Sequence, residues 1–137
     1  MKTNNTTTPN TSTTLSTKPN ESELADIIAR YLVSKKAEDV IVLNLANKTT
    51  IADYFVIASS RNSVHSKALA EGVDEILSKE YKIEPLRRDG IAGTTDVRWV
   101  VLDYSAVIVH IFNKETRELY RLEQLWTGNK DNIVEYK

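Results

Sequence analysis

Two short runs of apolar residues constrain the fold of this chain more than any other feature of its sequence. Residues 40–45 and 53–59 are rich in β-branched and aromatic side chains, and the polar residues 46–49 between them are typical of a turn. In both runs apolar side chains occupy successive positions instead of alternating ones, which predicts strands buried on both faces of a sheet. Other elements must cover such a sheet.

The covering elements are predicted by helical periodicity on both sides of the two strands. Over residues 21–36 the apolar side chains that recur at the spacing of an amphipathic helix are Leu24, Ile27, Ile28, Tyr31 and Leu32. Asn20 and Glu23 are spaced for a capping box at the start of this helix. The same spacing recurs within residues 62–79 and predicts a second helix.

The second half of the chain is typical of a hairpin followed by short helices. A brief strand near residues 86–88 and a loop over 89–96 precede two strands, 98–103 and 106–112, which only two residues separate. Residues 113–126 fit one or two short helical turns that begin at an asparagine cap. Together these elements predict an α/β fold, with a single mixed β-sheet covered by helices.

The two ends of the chain differ in composition from its middle. In 137 residues we expect one folded domain, at residues 21–127. Residues 1–20 are dominated by Thr and Asn and predict a disordered tail, and residues 128–137 are expected to form a polar C-terminal tail. The first segment has no arginine and no hydrophobic stretch, which argues against secretory and Arg-rich transit signals, whereas a Ser/Thr-rich plastid signal stays open.

Charge and cysteine content narrow the classes of function. The net charge is -1 and the pI is about 6.1, so the chain lacks the overall positive potential that draws proteins to phosphate backbones. We therefore expect no direct nucleic-acid binding. The absence of cysteine excludes disulfides, a thiolate nucleophile and Cys-ligated zinc. No apolar run approaches the roughly 20 residues of a membrane-spanning helix, so no membrane partner is expected.

Two histidines are the first candidates for catalysis, because histidine transfers protons near neutral pH. His110 lies inside the apolar run 107–112, and no Ser or Cys nucleophile motif accompanies it. A structural role is the favoured interpretation. His65, on a predicted helix face with Leu69, is interpreted in the same way. Two isolated histidines at this separation predict no metal site.

Two carboxylates are the candidates for nucleotidyltransferase chemistry. Asp53 and Asp103 stand at a strand start and a strand end, where a pair of carboxylates would be needed to hold magnesium. That chemistry requires a Gly-Ser phosphate-binding turn and two carboxylates on alternate residues of one strand, and the sequence has neither. Both residues are expected to cap or orient turns.

Five short motifs follow one another in a distinctive order along the chain. They are DYFVI at 53–57, DG at 89–90, WVVLD at 99–103, VIVHIF at 107–112 and RELYRLEQLW at 117–126. In order and spacing they resemble the ribosomal silencing factor (RsfS/Iojap-like) family, over about residues 21–126. One departure lies in the hairpin turn, where Ser105 and Ala106 stand in place of the family's usual Gly-Asp.

The resemblance implies a non-enzymatic protein with a nucleotidyltransferase-like topology, without catalytic motifs, cofactor or metal. It implies binding to the large ribosomal subunit through its ribosomal protein fourteen. That contact would block association with the small subunit and repress translation under nutrient limitation in the cytoplasm. Organellar relatives act in large-subunit assembly, and a homodimer off the ribosome is left open.

Two other functions stay as alternatives to this interpretation. The first is a nucleotidyltransferase-like enzyme that acts on a nucleotide or RNA, and the second is direct RNA binding. The missing phosphate-binding and paired-carboxylate motifs disfavour the enzyme. The near-neutral charge disfavours RNA and favours a basic ribosomal protein as the docking site.

Strand alternation provides the first three predicted partner-binding residues. It places Trp99, Val101 and Asp103 on the sheet face opposite Val100 and Leu102. We expect the Trp99 indole to be exposed or half-exposed, and the resemblance puts the matching tryptophan at or near the ribosomal contact.

The last motif supplies the remaining predicted partner-binding residues. Arg117, Tyr120 and Glu123 are three apart, so on a helix they lie along one side, where Arg117 and Tyr120 are expected to meet and Glu123 to stay outward. Trp126 completes the set, with an alternative role as an anchor between helix and core.

Overall fold

The structure, a computed structural model, describes residues 18–90, 97–126 and 132–137. Its elements are helix α1 (Glu21–Ser34), strands β1 (Glu38–Asn44) and β2 (Tyr54–Ser60), helix α2 (Ser63–Tyr81), strands β3 (Arg87–Asp89), β4 (Trp99–Asp103) and β5 (Val107–Asn113), helix α3 (Lys114–Tyr120), a 3-10 helix (Leu122–Leu125) and strand β6 (Ile133–Tyr136). The predicted helices and strands are confirmed, with ends that differ by a few residues.

The described residues form one six-stranded mixed sheet, in the order β3-β4-β5-β2-β1-β6. Strands β2 and β5 are parallel, and the other neighbouring pairs are antiparallel. In the central pair, Ile57 lies beside His110, and in the hairpin pair Trp99 lies opposite Phe112. The predicted single mixed sheet is therefore confirmed.

The two faces of the sheet are covered differently. One face packs against α1 and α2, and its side chains include Val42, Val56, Val100, Leu102 and Ile111. The other face carries a second apolar cluster that includes Ile41, Leu43, Phe55, Ile57 and Phe112. The segment after β5 covers part of this second face, since Leu122 and Trp126 pack against the cluster. Strands β1 and β2 are buried on both faces, as their apolar runs predict.

Asparagine caps start all three α-helices in the described part of the chain. Asn20 forms the predicted capping box with Glu23, with bonds of 2.8 and 2.9 Å. The side chain of Asn62 accepts from the N–H of His65 at the start of α2, and that of Asn113 accepts from the third residue of α3, each at 2.8 Å. Each helix therefore begins where its sequence signals it.

The turn between β4 and β5 has a residue in the left-handed conformation although it contains no glycine. Ser105 has a φ of 75°. The carboxylate of Asp103 accepts from the N–H of Ser105 at 2.7 Å, and the N–H of Tyr104 donates to the carbonyl of Val107 at 2.9 Å. Asp103 therefore orients the turn, as predicted.

The prediction of a polar tail over residues 128–137 is wrong at its end. Ile133–Tyr136 forms β6, which pairs antiparallel with β1 at the edge of the sheet. The Tyr136 hydroxyl donates to Asp26 of α1 at 2.8 Å, which ties the strand to the helix layer. Four residues are too few to show a strand period, so only this long-range pairing identifies the element. The predicted tail up to residue 17 and most of the predicted 89–96 loop lie outside the described residues.

Candidate functional site

Trp99 opens strand β4 on the sheet face that α1 and α2 leave free. Burial alternates along β4, with Val100 and Leu102 fully buried toward the helices and Trp99, Val101 and Asp103 half-buried on the opposite face. The predicted direction of these three side chains is therefore confirmed. The half-exposed state predicted for Trp99 is confirmed as well.

Two aromatic rings, those of Phe112 and Tyr120, contact the Trp99 indole. Its ring lies 4.7 Å from the ring of Phe112, directly across the hairpin, and 5.2 Å from the ring of Tyr120 in α3. Tyr120 is 57% exposed, whereas Phe112 is fully buried, so the stack runs from the core to solvent. We call Trp99, Val101 and Tyr120 the Trp99 surface. Tilted and offset contacts at these distances are favourable for aromatic rings.

His110 supports this surface from below. The indole N–H of Trp99 donates to Nδ1 of His110 at 3.2 Å, and the imidazole also meets the Phe55 ring edge-to-face at 4.6 Å. Only 7% of His110 is exposed, and burial lowers its pKa to about 4. The side chain is therefore neutral near pH 7, in agreement with the structural role that its sequence context favoured.

The predicted arrangement of Arg117 and Glu123 is wrong. Arg117 is only 9% exposed, and its guanidinium pairs with Glu123 at 3.1 Å and donates to the Asp39 carbonyl at 2.7 Å. It also donates to Ser59 Oγ at 3.0 Å, and Tyr120 stacks on the indole instead of meeting Arg117. A buried guanidinium needs such partners, because an unpaired charge in the interior is costly.

A backbone reversal explains why Glu123 turns inward. Arg121 ends α3 in the left-handed conformation, with a φ of 48°, and the next residues form the 3-10 helix. Helical spacing therefore stops at Tyr120, and Glu123 folds back toward Arg117. The expectation of a single helical side rested on a period that the chain does not keep.

The ring contact of Trp126 is with Phe55 and not with the Trp99 surface. Its ring meets Phe55 edge-to-face at 6.1 Å, and it packs against the apolar cluster of the free sheet face. This contact matches the alternative role of an anchor between the helical segment and the core. A role in partner binding stays a prediction.

The remaining candidates for chemistry have structural partners. His65 accepts from the Arg61 N–H at its Nδ1 and donates from Nε2 to the Lys35 carbonyl, at 3.0 and 2.9 Å. The backbone N–H of Asp53 donates to Ala106 at the end of the hairpin turn, at 2.8 Å. Within residues 18–90, 97–126 and 132–137, no group of three or more His, Asp or Glu is placed to hold a metal ion. No helix in those ranges is long and apolar enough to cross a membrane.

Sequence reasoning missed the link between Trp99 and His110. The two residues lie in neighbouring strands, and because Trp99 is opposite Phe112, His110 is its diagonal neighbour on the same face. A hairpin register drawn from the two-residue turn would have placed them together. The missing step was to pair the strands residue by residue.

The fold and the site together define a small α/β protein with an aromatic surface on one face of its sheet. The chain matches the model of the family described as ribosomal silencing factor during starvation, over residues 18–136. A ribosomal silencing factor RsfS from Halalkalibacterium halodurans is 35% identical over 104 residues, 76% of this chain and 86% of that protein. The chain therefore belongs to the ribosomal silencing factor family.

Other comparisons agree with this assignment. A mouse protein named mitochondrial assembly of ribosomal large subunit protein 1 is 32% identical over 105 residues, 74% of this chain and 44% of that protein. A crystal structure from Chromobacterium violaceum superimposes with a TM-score of 0.73 at 26% identity, over 81% of this chain and 89% of that one. A second crystal structure, from Bacillus halodurans, superimposes with a TM-score of 0.67 at 31% identity, over 84% of this chain and 99% of that one.

Proposed function

We propose that this protein binds the large ribosomal subunit at its ribosomal protein fourteen and blocks association with the small subunit. Translation in the cytoplasm is repressed in this way when nutrients are scarce. Membership of the ribosomal silencing factor family supports the proposal, and so does the name of the mouse relative, which refers to the large subunit.

The Trp99 surface is the observation that carries the proposal. It offers a half-exposed indole in tilted contact with an exposed tyrosine, and tryptophan and tyrosine are among the residues enriched in binding hot spots. Leu119 in α3 and Leu125 at the end of the 3-10 helix are 77% and 73% exposed. Together with Tyr120, these residues put three large exposed side chains within the seven residues 119–125, which favours a protein contact on this segment.

The net charge of the chain and the internal bonds of Arg117 favour a protein partner over RNA. The chain has a net charge of -1. The guanidinium of Arg117 bonds to Glu123 and to the Asp39 carbonyl inside the protein, so it does not face a phosphate backbone. Arg117 and Glu123 then contribute to binding indirectly, because their pair holds the segment that carries Tyr120. Asp103 lies at the far end of β4 and adds a carboxylate near a basic partner. Off the ribosome, the exposed apolar side chains also favour pairing with a second copy.

Co-sedimentation with isolated ribosomal subunits tests the proposal. The wild-type chain should pellet with large subunits and not with small ones. Trp99→Ala should weaken this binding by about 30-fold, which corresponds to about 2 kcal/mol for a hot-spot tryptophan. Val64→Ala is the matched control, because Val64 is 79% exposed at the start of α2, on the helix side of the sheet.

Circular dichroism melts separate binding from folding in the same set. Trp99→Ala should keep a cooperative transition, because the indole is only half-buried. A folded Trp99→Ala variant that pellets like the wild type would refute the assigned surface. Enrichment of the wild type on small subunits alone would refute the proposed function.

A further inference from the structure

The hydrogen bond between Trp99 and His110 has only one chemical arrangement. An indole nitrogen is a donor and never an acceptor, so Nδ1 of His110 must carry the lone pair and Nε2 must carry the proton. The two side chains are diagonal neighbours on adjacent strands, so the sheet register itself brings them together. Burial keeps the imidazole neutral near pH 7, which preserves the acceptor.

The requirements of folding do not explain a histidine at this position. Its neighbours Phe55, Ile57 and Phe112 are apolar, and a leucine would suit them. Nε2 of His110 is buried and has no hydrogen-bond partner within the described part of the chain. A buried donor without a partner costs folding free energy. Among the described residues, the hydrogen bond from Trp99 is the polar contact of the imidazole.

We infer that His110 is the positioning residue of the Trp99 surface, because it fixes the orientation in which the indole is offered to the partner. This inference rests on the proposed function. The Phe112 and Tyr120 rings make tilted contacts with the indole, and because neither contact is a hydrogen bond, they leave the direction of the indole N–H open. The bond to Nδ1 sets this direction. A side chain held in its bound orientation loses less entropy on binding.

Two substitutions of His110 separate positioning from packing. His110→Leu removes the acceptor together with the buried, unpartnered Nε2 donor and puts an apolar side chain of similar size in its place, so its melting temperature should equal or exceed that of the wild type. Its affinity for large subunits should fall by up to about tenfold, the value of one hydrogen bond. His110→Asn places an oxygen near the position of Nδ1 but loses ring packing, so it should melt lower and bind better than His110→Leu.

The distinguishing result is that His110→Leu is the more stable of the two variants and His110→Asn the tighter binder. A merely structural histidine predicts that affinity follows stability, with His110→Leu as the better binder. That outcome would overturn the inference. If His110→Asn does not fold, Trp99→Phe provides the second comparison. Phenylalanine has no N–H, so adding His110→Leu to Trp99→Phe should cause no further loss of affinity, and a further loss as large as in the wild-type background would also overturn the inference.

The indole N–H signal in a ¹H–¹⁵N NMR spectrum tests the positioning without ribosomes. The chain has two tryptophans, and Trp126→Phe assigns the signals. The Trp99 signal should show slow hydrogen exchange in the wild type and fast exchange, with a changed shift, in His110→Leu. An unchanged signal in His110→Leu overturns the inference whatever the protein binds. A wild-type chain that does not pellet with large subunits refutes the proposed function instead, and the NMR result then decides the positioning alone.

Discussion

At the scale of the residue, this protein depends on a few polar side chains that sit in apolar surroundings. His110 and Arg117 are both at least nine-tenths buried. His110 is neutral near pH 7 and Arg117 is charged, and both contact residues on the sheet face that carries Trp99. The sequence showed that His110 lies in an apolar strand and that Trp99 points away from Val100. It did not show the partners of Arg117, because Asp39 and Ser59 lie 78 and 58 residues away along the chain.

Burial of His110 predicts a pH dependence of stability. Its pKa is lowered from 6.5 to about 4 in the folded chain, so the unfolded chain takes up this proton first as the pH falls. The free energy of unfolding should therefore decrease between pH 6.5 and about pH 4, by on the order of 3 kcal/mol in total, and this contribution should be constant above that window.

Denaturant titrations of wild type and His110→Leu across this window measure the effect. Subtracting the two curves removes the contributions of all other groups, which both chains share. The difference should grow in favour of His110→Leu as the pH falls. A difference that is independent of pH would mean that His110 is solvated in the folded chain.

The Arg117 pair makes a second prediction at this scale. Arg117→Ala should lower the free energy of unfolding by about 3 kcal/mol, because it leaves the Glu123 carboxylate without its counter-charge and the Asp39 carbonyl without its donor. Lys79→Ala is the control, since Lys79 pairs with Glu75 at 3.0 Å on an exposed helix face and should matter little. Equal effects of the two substitutions on the denaturant midpoint would contradict the internal role of Arg117.

At the scale of the element, some helices and strands are determined by local sequence signals and others by pairing with distant segments. Asparagine caps and apolar stripes indicate helices α1 and α2, and apolar runs indicate the buried strands. Strand β6 has no such signal, because it becomes a strand only through β1 and through the bond from Tyr136 to Asp26, 110 residues away. The inward turn of Glu123 was missed for a similar reason, since the left-handed Arg121 is not marked by a glycine.

The hairpin between β4 and β5 gives a prediction for one element. Ser105→Gly should raise the free energy of unfolding by about 1 kcal/mol, because a φ of 75° strains a side chain with a Cβ and does not strain glycine. The same change at Ser22, in the first turn of α1, should lower it by about 0.5 kcal/mol, because glycine is a poorer helix former than serine. Thermal melts of both variants check the opposite signs. A destabilised Ser105→Gly would show that this turn is not strained.

At the scale of the whole molecule, the chain builds one sheet and leaves part of one face to an aromatic surface. The class of fold followed from the sequence, because strands buried on both faces require helices around them. The order β3-β4-β5-β2-β1-β6 did not follow from it, since strand order depends on which distant segments pair. The sheet face of Trp99 and Val101 and the exposure of Trp99 were predicted, but the contact of Tyr120 with the indole and the hydrogen bond to His110 emerged only from the structure.

The most direct test of the central claim is a subunit-joining assay, in which large and small subunits are mixed at a magnesium concentration that favours association and the complete ribosomes are measured by sedimentation. The wild-type chain, added to large subunits first, should lower the yield of complete ribosomes. Trp99→Ala, shown to be folded by its melt, should leave the yield unchanged, and Val64→Ala should act like the wild type. A wild-type chain that leaves the yield unchanged, or a folded Trp99→Ala that lowers it equally, would contradict the account.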